Sequence, residues 1–154
     1  MSRKNNFLVF LIFVFVISLA AGGEAQEIEE KNSPLAILTA SYRGDEKSIR
    51  EILAAGADKD VRDAFGATPL HLAMFQSNLA VVKLLLDYGF DPNAVASRNG
   101  FTPLHNAVAA NNADAARLLI QYGADKNIKC GNGLTPLDKA RKEEKRALIF
   151  LLYR

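Results

Sequence analysis

The stretch Gly66-Ala67-Thr68-Pro69-Leu70-His71-Leu72-Ala73 is written three times in this chain, and that recurrence limits the fold more than any other feature. It returns as Gly100-Phe101-Thr102-Pro103-Leu104-His105-Asn106-Ala107 and as Gly133-Leu134-Thr135-Pro136-Leu137-Asp138-Lys139-Ala140. The three threonines stand 34 and then 33 residues apart, and a second marker, Gly56-Ala57-Asp58, Gly89-Phe90-Asp91 and Gly123-Ala124-Asp125, repeats at 33 and then 34. Two independent markers with one period define an array of units.

Each unit contains signals for two helices. Thr68 offers the side-chain oxygen that caps a helix start, and Pro69 has the fixed φ and missing N–H that suit the first helical position. Leu70, Ala73 and Met74 then share one apolar face until Gln76-Ser77-Asn78 interrupts it, which predicts a short first helix. A second apolar run, Leu79 to Leu86 with Lys83 inside it, ends at Asp87-Tyr88-Gly89, where glycine supplies the left-handed residue that closes a helix. Neither helix can bury its apolar face inside a unit of about 33 residues, so each unit has to stack on the next and share a core with it.

On these residues the chain resembles the ankyrin repeat family, whose unit is a turn followed by two antiparallel helices, over roughly Pro34 to Arg154. The resemblance implies an all-α solenoid of about four units joined by β-turn or hairpin loops, at residues 34–63, 64–97, 98–130 and 131–154. The first unit has Leu35-Ala36-Ile37-Leu38-Thr39-Ala40 in place of Thr-Pro-Leu-His and reads as an N-terminal cap, with Ala40 lying 33 residues before Ala73. The additional residue of the 34-residue step is expected in the turn near Ala96-Ser97. The fourth unit carries Arg141-Lys142-Glu143-Glu144-Lys145-Arg146 between its helices, the polar outer face that a terminal unit needs.

The beginning of the chain has a different character. Overall 49% of the 154 residues are hydrophobic and 23% charged, an ordinary globular balance. Arg3 and Lys4, however, precede an apolar run from Phe7 to Ile17 that continues to Gly23, the basic and apolar regions of a hydrophobic export helix. Small residues at Ser18 and Ala20, or at Gly23 and Ala25, place a new N-terminus at Ala21 or Gln26 and predict a signal peptide over residues 1–25. The competing reading is an uncleaved anchor over residues 7–23, at the short limit for spanning a bilayer. Residues 26–33, with Glu27, Glu29 and Glu30, read as an acidic tether. The expected location is therefore exported, secreted or periplasmic, with membrane attachment only if the apolar segment is retained.

Charge and cysteine constrain partners weakly. Without Arg3, Lys4 and Glu24 the chain holds 17 basic and 16 acidic residues, which gives no electrostatic reason to expect nucleic acid. Residues 26–63 hold nine acidic and six basic residues and residues 129–154 three and seven, a lopsidedness that reads as solvated faces on the two caps. Cys130 is the only cysteine, so no intramolecular disulfide forms. Its place beside Gly131-Asn132-Gly133 predicts a partly exposed thiol.

Chemistry needs a constellation of groups, and none is apparent. The two histidines, His71 and His105, are one repeat position seen twice, and the resemblance implies that each bonds the threonine of its own turn and neighbouring backbone. A zinc site needs three or four converging ligands, and the fourth unit has Asp138 at that position. Hydrolase, phosphate-loop and metalloprotease signatures do not occur. Asp58, Asp91 and Asp125, each one residue beyond a glycine-containing pair, are placed to bond the backbone two residues on. No catalytic residue, metal, cofactor or small-molecule substrate is expected.

The resemblance implies instead a protein partner held on a concave face made of the turn tips and the exposed side of each first helix. Carried over by position, the tips are Ala64-Phe65 with Ala67, Arg98-Asn99 with Phe101, and Gly131-Asn132 with Leu134. The first-helix positions are Tyr42-Arg43, Phe75-Gln76, Ala109-Ala110 and Lys142-Glu143. Tyr42, Arg43, Phe65, Phe75, Gln76, Arg98, Asn99, Phe101, Asn132 and Leu134 are the expected partner-binding residues, with Tyr42, Phe65, Phe75 and Phe101 as exposed aromatic anchors. Asn106 departs from the apolar residue of the family, which predicts looser packing in unit three. A non-catalytic, monomeric binding protein is the leading expectation. A periplasmic accessory that protects or assembles a redox enzyme, and a secreted effector aimed at a host protein, are the alternatives.

Overall fold

The computed structural model of the chain describes residues 35–76 and 78–153. The expected signal peptide, anchor and tether lie outside the described residues. Among the described residues, eight helices follow one another in pairs: α1 (Ala36–Arg43), α2 (Glu46–Ala54), α3 (Pro69–Ala73), α4 (Leu79–Tyr88), α5 (Pro103–Ala109), α6 (Ala113–Gln121), α7 (Pro136–Lys142) and α8 (Arg146–Tyr153). First helices pack on first helices (α1 on α3, α3 on α5, α5 on α7) and second helices on second helices (α2 on α4, α4 on α6, α6 on α8). The array is thus two parallel rows of helices, and among the described residues none of them is long and apolar enough to cross a membrane.

The shared core follows the repeat. Ile37, Leu70 and Leu104 occupy one position in successive units and are buried, as are Ala40, Ala73, Ala107 and Ala140 at another, where the small side chain lets neighbouring first helices approach. Leu85, Leu119 and Leu152 do the same on the second helices. These residues belong to one hydrophobic cluster that runs from Ile37 to Leu152. Each fully buried leucine contributes about 1.5–3 kcal/mol relative to exposure, and that gain exists only when a neighbouring unit covers it.

Helix starts and stops obey the local signals. Thr68, Thr102 and Thr135 are N-caps with extended backbone and proline follows each. Gly89 closes α4 at φ 98°, donating to the Leu85 and Leu86 carbonyls. The Asp58, Asp91 and Asp125 carboxylates each accept the backbone N–H two residues on, at 2.8 Å. One boundary differs from expectation. Phe75 and Gln76 lie beyond α3, because their N–H groups turn to the Leu72 and Ala73 carbonyls three residues back and tighten the chain out of the α-helix.

Polar side chains join the units in both directions. The Thr68 N–H donates to His71 Nδ1 at 3.2 Å, and His71 Nε2 lies 2.9 Å from the Phe101 carbonyl oxygen of the next unit. A backbone N–H can only donate, so Nδ1 carries no proton and Nε2–H is the forward donor. His105 repeats this with Thr102 and the Leu134 carbonyl at 3.0 Å. Asp138, at the same place in the fourth unit, closes its bonds within its own turn, accepting from the Thr135 N–H and hydroxyl, and those bonds hold its pKa below the usual carboxylate value. Asparagines reach backwards. Asn78 accepts from Ala80 N–H while donating to the Gly44 carbonyl, Asn112 accepts from Ala115 N–H while donating to the Gln76 carbonyl, and Asn106 donates to the His71 carbonyl. Asn106 therefore bonds the preceding unit, and the looser packing expected there does not follow.

Burial lowers the pKa of both histidines, against a smaller opposing effect of the carbonyl each one faces. A base with a lowered folded-state pKa binds fewer protons folded than unfolded, so stability is complete above the unfolded value of about 6.5 and falls as pH drops through it. The melting temperature is expected to fall between pH 7.5 and 5.5, and this slope should largely vanish in His71→Gln with His105→Gln. His71→Ala at neutral pH is expected to lower stability by about 1–3 kcal/mol through the partners it leaves unsatisfied. A stability that rises on acidification would contradict the assigned tautomer.

Candidate partner-binding surface

Three hairpin tips project from the array, and their geometry is set by backbone bonds across each base. Asp63 N–H donates to the Ala67 carbonyl, Ala96 N–H to the Phe101 carbonyl, and Cys130 N–H to the Leu134 carbonyl, at 2.8–2.9 Å. The middle tip spans one residue more than the others, which places the additional residue of the 34-residue step between Ala96 and Phe101. Adjacent tips are bonded to each other: Arg98 N–H donates to the Phe65 carbonyl at 3.1 Å and Gly131 N–H to the Asn99 carbonyl at 2.8 Å. Such close approach requires glycine. A Cβ on Gly66 or Gly100, both at φ near 70–75°, would lie 2.6 Å from Ser97 N or 2.5 Å from Gly131 N.

Cys130 corrects an expectation. It is buried, at 6% exposure. Its N–H and carbonyl are both bonded across the hairpin base and the tip bearing Gly100 lies against its backbone, so the turn next to it does not open the thiol to solvent.

The expected partner-binding residues divide into two groups. Tyr42 and Phe75 occupy the same place in units one and two and are 57% and 51% exposed. The Gln76 amide donates to the Tyr42 carbonyl, tying these two neighbouring positions together. Arg43, Ala109 and Lys142 are exposed at the C-terminal ends of their first helices, so the row continues as Tyr42, Phe75, Ala109, Lys142: two aromatics, a small residue and a cation. Arg98, Asn99 and Asn132 are exposed on the tips.

Phe65, Phe101 and Leu134 are partly buried. The Arg98 guanidinium lies 4.5 Å from the Phe65 ring centroid, and Lys139 Nζ lies 5.0 Å from that of Phe101. The Phe101 ring also stacks on His105, with centroids 5.4 Å apart and planes 19° from parallel. The expectation that Phe65 and Phe101 stand free as anchors is corrected: a cation of the following unit covers a face of each, an arrangement worth about 0.5–1 kcal/mol at an exposed site. Lys139, which also pairs with Glu143, was not among the expected residues.

The opposite side, on the second helices, satisfies itself. A shallow groove between α4 and α6 is lined by Leu79, Ala80, Lys83, Asp114, Arg117, Leu118 and Gln121. Its cations are held by carboxylates of their own helices, Lys83 by Asp87 and Arg117 by Asp114. Asp87 also accepts from the Tyr122 hydroxyl of the next unit, and these two bonds lower its pKa.

Stacked helix pairs with backbone-bonded tips define a helical repeat protein with an exposed strip along its first helices. The sequence profile for ankyrin repeats (3 copies) matches residues 35–130 and 95–154, and the chain belongs to the ankyrin-repeat family. Such repeats are generally protein–protein interaction modules without catalytic activity of their own. The chain is similar to a putative ankyrin repeat protein of Rickettsia bellii, 41% identical over 90 residues, covering 57% of this chain and 36% of the relative. It is also similar to the mouse cyclin-dependent kinase 4 inhibitor B, 37% identical over 62 residues (40% of this chain, 47% of the relative). A third relative is the mouse 2-5A-dependent ribonuclease, 33% identical over 75 residues (48% of this chain, 10% of the relative). The chain thus spans less than half the length of each of these relatives.

Proposed function

We propose that this chain is an exported, non-catalytic binding module that holds a protein partner along the strip Tyr42, Phe75, Ala109 and Lys142, flanked by Arg98, Asn99 and Asn132 on the tips. The observation that carries the reading is the pair Tyr42 and Phe75: two large aromatics more than half exposed, one unit apart and tied by Gln76. Rigid aromatic groups supply most of the binding energy in protein interfaces. Export rests on Arg3, Lys4 and the apolar run at residues 7–23.

Tyr42→Ala with Phe75→Ala is expected to weaken binding of the natural partner by about a hundredfold or more, with folding retained because neither side chain is in the core. Lys83→Ala with Arg117→Ala, on the opposite side, should leave affinity nearly unchanged. Calorimetric titration of the partner captured from the source cells decides between them. Loss of affinity in the second pair alone would place the contact on the second helices.

A further inference from the structure

Charge is divided unevenly between the two rows of helices. On α2, α4 and α6 the cations Lys47, Arg50, Lys83 and Arg117 are matched in number by the carboxylates Glu46, Glu51, Asp87 and Asp114. Pairs close within each of these helices, Arg50 with Glu46, Lys83 with Asp87 and Arg117 with Asp114. The row of first helices is different. α1, α3 and α5, with the tips at residues 64–67, 97–101 and 131–134, carry Arg43 and Arg98 and no carboxylate.

The carboxylates that border this side are already engaged. Asp63 accepts the Phe65 and Ala67 N–H groups, Asp138 accepts from the Thr135 N–H and hydroxyl, and Glu143 pairs with Lys139, while Glu144 stands in the turn beyond α7. Arg98 lies over the Phe65 ring and Lys142 is exposed, and among the described residues no carboxylate pairs with either. Lys142 holds the repeat position of Tyr42, Phe75 and Ala109. Phe75 and Ala109 are exposed although their units are flanked on both sides, so the exposure of Lys142 belongs to the position. Arg141, by contrast, holds a core position, that of the buried Met74 and Val108, and is no part of the strip.

The strip is graded as a result, aromatic in units one and two and cationic in units three and four. We propose that its occupant is an acidic segment of the protein partner, which sets a large apolar side chain on Tyr42 and Phe75 and carboxylates against Arg98 and Lys142; this rests on the strip being the partner-binding site. Complementary charge orients such a segment and speeds its encounter, and the self-paired second helices offer it neither advantage. The grading also fixes a spacing. Helices packed side by side lie about 8–10 Å apart, so Phe75 and Lys142, two units apart, are separated by about 16–20 Å, and an extended chain covers that in about five or six residues.

The test uses the full chain and fluorescent peptides in which leucine and phenylalanine are followed, after a glycine and serine spacer of about five residues, by two glutamates. Anisotropy should show binding, and exchanging the glutamates for lysine should weaken it about tenfold or more. Arg98→Glu with Lys142→Glu should reverse that preference, losing the glutamate peptide and gaining the lysine peptide, a gain that unfolding would not give. Lys83→Glu with Arg117→Glu changes the net charge equally on the opposite side and should leave both peptides nearly as they were. Equal binding of the two peptides by the native chain, or equal losses in the two double variants, overturns the proposal. So does failure to bind the glutamate peptide, whether or not the chain binds single-stranded DNA or associates with itself in sedimentation. With the captured partner, loss of affinity in Tyr42→Ala with Phe75→Ala but none in Arg98→Glu with Lys142→Glu keeps the strip and overturns its acidic occupant. Loss in neither overturns the strip as well.

Discussion

Gly100→Ala is expected to lower the stability of the folded chain by about 2–4 kcal/mol, and Gly133→Ala by only about 1 kcal/mol, although both glycines hold the same repeat position. Their φ angles, 70° and 75°, are nearly equal, so the cost of a side chain in the left-handed region is common to both. The surroundings differ. A Cβ at residue 100 would meet Gly131 N at 2.5 Å and the Cys130 backbone at 3.1 Å, whereas at residue 133 nothing lies within 4 Å. The obstacle is main chain, which cannot rotate aside, so the tips must separate and stretch the Gly131 N–H bond to the Asn99 carbonyl. Denaturant unfolding of the two variants measures the difference directly. Equal losses would mean that contact between the tips contributes nothing.

Removing residues 98–130 as a block should leave a shorter array that still melts in one transition at a lower temperature. Ser97 is then followed by Gly131, which takes the place of Arg98 opposite the Phe65 carbonyl, and Leu134 takes the place of Phe101 as acceptor for His71. Losses are also specific. Lys139 and Lys145 replace Asn106 and Asn112, so the amide bonds to the His71 and Gln76 carbonyls disappear. Removing residues 98–112 instead deletes a tip and a first helix but keeps α6, so a second helix would have to fill the row of first helices. No cooperative melt by circular dichroism is expected from that variant. Similar melting of both deletions would refute a core shared between neighbouring units.

The sequence made the frame of the array readable because its signals are local. Threonine before proline begins a first helix, glycine closes a second, and an aspartate after each glycine bonds two residues on, all within reach of one turn. The row through Tyr42 and Phe75 was readable for the same reason, since one period separates them. What spacing could not report is contact between side chains of different units. Arg98 over Phe65 and Lys139 over Phe101 join residues that are unremarkable neighbours in sequence, and the length and direction of each side chain decide whether they meet. Cys130 is likewise buried where the neighbouring tip at Gly100 lies against its backbone, an approach that spacing does not report. Asn78 and Asn112 cap α4 and α6, and each makes a second hydrogen bond that exists only when the preceding unit is in place.

The histidines that reach forward and the asparagines that reach back all end on main-chain carbonyls, at Phe101 and Leu134 in one direction and Gly44, His71 and Gln76 in the other. A main-chain acceptor is present whatever side chain its residue bears. The joints that end on the Phe101 and Leu134 carbonyls do not depend on the side chains of those residues, which stand on the tips beside the proposed binding strip. Side chains at these two tip positions can therefore change one at a time without renegotiating how the units fit together.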